Sequence, residues 1–168
     1  MSLSRLFVMY LYFAGFCLTC FGQTREPQLA NDPNVFLMFL DFHDKVQEEI
    51  RARRGSGDMT GAANLETAWQ ARLRLTYTER LAISAHHRTL VAELGKLQAE
   101  AMAYATERVR NNAPLDPSVM TQYETRRVSL LKETAALLRA DLSSESAQFL
   151  SSFINDDFGG NVRRSPLK

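Results

Sequence analysis

The chain has very few of the residues that carry chemistry. Only two cysteines occur in 168 residues, Cys17 and Cys20, and both lie in an apolar run near the start. Beyond that run there is no thiol for a disulfide, a cysteine nucleophile or a thiolate metal ligand, so packing alone must hold the body together. The histidines number three. His86 and His87 are neighbours, about 100° apart on a helix, and His43 has Asp44 beside it and Gln47 one turn on. Imidazoles that grip zinc or copper sit one helical turn apart, so these read as structural, with His87 a polar break in an apolar seam. No Gly-x-Ser-x-Gly elbow is present, and Gly55 to Gly61 matches neither phosphate-cradling glycine pattern. The carboxylates Glu48, Glu49, Glu93, Glu100 and Glu124 fall on faces expected to be solvated. The expectation is therefore no catalytic residue, no cofactor and no metal site. An enzyme would need the fold to gather distant histidines and acids into one cleft.

Strong charge of either sign is missing too, with 20 basic residues against 19 acidic ones. Arginines cluster at Arg51, Arg53 and Arg54, at Arg126 and Arg127, and at Arg163 and Arg164, but a chain with a net charge of only +1 has no global field to draw in nucleic acid. No nucleic-acid partner is expected.

What is present begins with a leader. Arg5 precedes the uncharged run Leu6 to Phe21, and small residues at Cys20 and Gly22 form an exit, the parts of a secretory signal peptide. Residues 1–22 are expected to be cleaved after Gly22, giving a periplasmic or secreted protein whose membrane contact is through the leader alone. A retained anchor and lipidation at Cys20 are the alternatives. Gln23 to Asn31 reads as a flexible segment, 32–160 as one helical domain and 161–168 as a disordered tail.

Within the domain the apolar spacing is helical throughout. Asp32-Pro33 pairs an N-cap with a proline at the first helical position, and Val35, Phe39, Phe42, Val46 and Ile50 follow as one stripe. Gly55, Gly57 and Gly61 mark a flexible connection, after which Asn64 caps a short helix carrying Leu65, Trp69 and Leu73, with the single tryptophan as a packing anchor. Thr76 and Glu79 form a capping box that opens the longest segment, to Asn112, where Ile83, His87, Leu90, Leu94, Leu97, Ala101 and Tyr104 line one face. Such a helix spans roughly 50 Å, which suits an arm of a hairpin. Asp116-Pro117 repeats the start signal, and Val128, Leu131, Ala135, Leu138 and Leu142 supply the returning partner. Ser143 caps a last helix that buries Phe149, Leu150, Phe153 and Ile154 and is stopped by Gly159-Gly160.

Leu75-Thr76-Tyr77-Thr78-Glu79 and Leu142-Ser143-Ser144-Glu145-Ser146 each join a leucine to a hydroxyl cap at a helix start. In this they resemble the paired Leu-Thr-x-x-Gln motifs of the Spy and CpxP family of small periplasmic helical proteins, with Glu79 and Ser146 where that family prefers glutamine. The resemblance implies a bent helical hairpin that dimerises into a cradle, shielding unfolded clients or sensing envelope stress, without cofactor or chemistry.

The fold class expected is thus all-α, an elongated antiparallel hairpin with shorter packing helices. The function expected is that of an exported, non-enzymatic, chaperone-like protein that binds protein clients or associates with itself as a homodimer. The alternative is a structural subunit docking to an envelope assembly through Val35 to Phe42 and Phe149 to Phe158.

Overall fold

A computed structural model describes residues 29–164, so the expected leader and most of the segment after it lie outside the described residues. Among the described residues six α-helices occur in order: α1 Pro33–Gly55, α2 Met59–Leu73, α3 Tyr77–Arg110, α4 Pro117–Ala140, α5 Ser144–Ser152 and α6 Gly159–Arg164, with a π-helical stretch at Phe153–Phe158 between the last two. No strand occurs among the described residues. The fold is all-α.

The helix starts follow local chemistry. Asp32 and Asp116 each accept from the backbone amide two residues on, at 2.9 and 2.8 Å, with a proline opening the helix behind each cap. The Ser118 hydroxyl also donates to Asp116 and holds that carboxyl below the usual range. At the start of α3 both halves of the capping box form, Glu79 N–H to Thr76 Oγ1 and Thr76 N–H to Glu79 Oε2.

Helices α3 and α4 are antiparallel. Tyr104 stacks near Tyr123, Arg126 pairs with Glu100 at 2.7 Å, and His86 meets Asp141 at 2.7 Å, partners that run in opposite directions along the two helices. Ile83, Leu90, Leu97 and Ala101 of α3 and Leu131 and Leu138 of α4 are buried along this seam. Across its N-terminal half lies α1, whose Phe36, Phe39 and Leu40 are buried with Leu150, Phe153 and Ile154 in the main core.

Four expectations need correction. Helix α2 starts at Met59, capped by Asp58, because the Asp58 carboxylate accepts from Gly61 N at 2.9 Å; the Asn64 cap is not used. Residues 29–31 are not slack: Leu29 and Ala30 are buried in the core, and Asn31 N donates to Asn155 Oδ1 at 2.8 Å. Gly159-Gly160 does not stop the last helix, which continues as α6. Gly159 has helical angles, and a Cβ there would lie 3.3 Å from Val35 Cγ1 and 3.0 Å from the Ile154 carbonyl. The glycine is a contact point, not a terminator. The first residues of the expected disordered tail, Asn161 to Arg164, are accordingly helical.

Candidate functional surface

The residues weighed for chemistry are not assembled into a reactive centre. His86 Nε2 meets Asp141 Oδ2, and His87 Nε2 meets Asp41 Oδ1 at 2.8 Å with Asp44 Oδ2 3.8 Å from its Nδ1. His43 is fully enclosed and its Nδ1 accepts from the Trp69 indole N–H at 3.1 Å, so the lone tryptophan is a packing anchor with a polar tether. Burial, helped by Arg80 and His87 and opposed by Asp44, pushes the His43 imidazole down to about 4, leaving it neutral at pH 7. Among the described residues no group of three or more His, Cys, Asp or Glu is placed to hold a metal ion.

Ion pairs take up much of the surface charge. Arg53 pairs with Glu49, Lys96 with Glu93 and Arg127 with Glu124. Arg54 reaches Glu66, tying the end of α1 to α2. A groove of about 300 Å³ between α3 and α4, bordered by Glu93, Lys96, Glu100 and Arg126, is rimmed by two of these pairs.

Glu79 does more than cap its own helix. Its Oε1 also accepts from Ser143 N at 3.1 Å, so one carboxylate joins the starts of α3 and α5. Burial pushes this carboxyl up, but hydrogen bonds from the Thr76 and Ser143 amides and the Ser146 and Thr76 hydroxyls outweigh it and hold it at about 2. The two Leu-Thr/Ser segments therefore meet in space, with Leu75 and Leu142 both buried beneath the junction.

The apolar segments expected to dock elsewhere are largely used up at home. In Val35 to Phe42 and Phe149 to Phe158, the side chains of Val35, Phe36, Phe39, Leu40, Phe153 and Ile154 are buried, and the rings of Phe39, Phe153 and Phe158 pack edge to face. Only Met38 and Phe42 remain exposed there among large apolar side chains.

Among the described residues the outward face of α3 carries several exposed large apolar side chains. Leu81, Arg88, Gly95, Met102 and Val109 recur every seven residues and share one side of the helix with Tyr77, Val91, Ala85, Ala92 and Ala99. All of these are exposed: Tyr77 by 64%, Leu81 by 51%, Val91 by 47%, Met102 by 43% and Val109 by 63%. The acidic residues of α3, namely Glu79, Glu93, Glu100 and Glu107, all fall on other sides, so the face carries no carboxylate; its apolar and small residues share it with Arg88, Thr106 and Arg110. At its middle sits Gly95, where a Cβ would meet nothing within 4 Å. Among the described residues nothing requires a glycine there, although it costs the helix about 0.5–1 kcal/mol relative to alanine.

No known protein family, curated protein or solved structure matches this chain.

The functional reading therefore rests on the molecule alone. Sequence spacing found the buried stripe of α3 but not this outer one, because arginine, glycine and alanine interrupt the large apolar residues and break the simple hydrophobic pattern. Among the described residues no helix is long and apolar enough to cross a membrane.

Proposed function

We propose that the chain is an exported, non-enzymatic helical protein that binds other proteins through the outward face of α3, as a chaperone-like accessory. The observation that carries this reading is the exposed face itself, in which large apolar side chains alternate with small ones along a helix of 34 residues. Contiguous apolar surface left in water is characteristic of sites that meet other macromolecules. Alanines and Gly95 leave room for a bound chain to lie close to the helix, and Arg88 adds a cation that tolerates varied partners. The leader-like start supports export, and the meeting of the two Leu-Thr/Ser segments through Glu79 adds weight to the resemblance to small periplasmic helical proteins.

The test is light scattering of a chemically denatured client diluted into an equimolar amount of purified protein. Aggregation is expected to be suppressed, and Leu81→Asp with Met102→Asp is expected to abolish suppression while helix content stays unchanged. No suppression and no detectable client binding by the native sequence would end the proposal.

A further inference from the structure

Helix α2 lies between two left-handed backbone positions, Gly57 with φ 86° and Arg74 with φ 51°, and buries only Ala62, Trp69 and Leu73. Trp69 is its central anchor, its ring edge-on to Phe42 at 5.5 Å and its indole N–H donated to His43 Nδ1. That bond requires a bare ring nitrogen. The other nitrogen, Nε2, is buried, so a proton gained at Nδ1 would convert the only acceptor of the pair into a second donor facing the indole.

We infer that the His43–Trp69 pair is a proton-operated latch: protonation of His43 releases α2 from α1 and exposes the aromatic surface that Trp69 and Phe42 now cover. The charged groups around it set the direction. Asp44 on α1 favours the imidazolium. Arg80 and His87 on α3 oppose it, and the Arg80 backbone carbonyl adds a smaller pull in favour. Arg80 is itself held from α2 by Glu66 at 3.7 Å, so a cation arising at His43 pushes against a guanidinium fastened to the helix that must leave. This latch does not depend on what the outward face of α3 binds.

The sign follows from linkage. The closed state holds His43 at about 4 against 6.5 for an open, solvated imidazole, so the open state takes up the proton and opening grows as pH falls through 6.5. Between about pH 7.5 and pH 4.5 the open population is expected to rise roughly 70-fold. Hydrogen exchange followed by mass spectrometry reads this directly. After correction for intrinsic rates, protection of the Met59–Leu73 amides should fall by up to that factor while α4 keeps its protection. His43→Asn, which retains an acceptor for the indole but cannot charge, should remove the fall.

Three outcomes would overturn the latch: unchanged protection in α2, an equal loss in α4, or the same loss in H43N. Should that variant fail to fold, the imidazole resonances of the native protein decide. His43 must titrate well below 6.5; a His43 midpoint at or above 6.5 excludes the mechanism.

Discussion

Two faces of α3 lie back to back, and one is closed while the other is open. On the inner face Ile83, Leu90, Leu97 and Ala101 are buried against α1 and α4, with His87 tied off by Asp41. On the outer face Leu81, Val91, Met102 and Val109 stand in water. The difference is one of composition around the large residues. The inner stripe repeats leucine and isoleucine at steps of three and four and so defines a helix-packing seam. The outer one is diluted by Arg88, Gly95 and alanines, which weakens it as a core but leaves a surface that a passing chain can occupy.

Substitutions on the two faces should separate stability from binding. The largest effect is expected at Leu90→Ala, which removes buried methyl groups and leaves a cavity, lowering stability by about 3 kcal/mol in urea denaturation. Next comes Glu79→Ala, which strips acceptors from the starts of both α3 and α5 and should lower stability by about 2 kcal/mol. The same residue has an acid signature. Its folded value is depressed from 4.5 to about 2, so its contribution is complete above 4.5 and is lost as pH falls through 2. Glu79→Gln should flatten that part of the stability profile. A smaller effect of opposite sign is expected at Gly95→Ala, which should stabilise the helix by about 0.5–1 kcal/mol while weakening client binding, because the methyl group fills the point of close approach. Least change in stability, within about 0.5 kcal/mol, is expected for Val91→Ser on the outer face, with its effect confined to binding. If Val91→Ser destabilises as much as Leu90→Ala, the two faces are not the distinct surfaces described.

The parts of the fold legible in the sequence were those set by neighbours in the chain. Asp32-Pro33, Thr76 with Glu79, Asp116-Pro117 and Ser143 mark helix starts because a cap and the amide it satisfies lie two or three residues apart. What failed was what depends on distant partners. Gly159 reads as a stop until Val35 is found against it, 124 positions earlier in the chain. Leu29 and Ala30 read as part of a polar linker until the core that covers them is seen. Trp69 was legible as an anchor, but the ring nitrogen that receives its N–H comes from His43, across the α1–α2 turn, and no local pattern announces it. Glu79 was legible as a cap for one helix and illegible as a cap for two, since Ser143 is 64 residues away.

The hydrogen bond from Asn31 to Asn155, with the seating of Gly159 on Val35, sets an order for biosynthesis. Helices α1 to α4 can form and collapse as they emerge, but Asn31 and Val35 meet these two partners only once Asn155 and Gly159 have been made. Premature termination anywhere before Asn155 would therefore yield a chain that is helical yet unsealed, an obvious substrate for proteolysis.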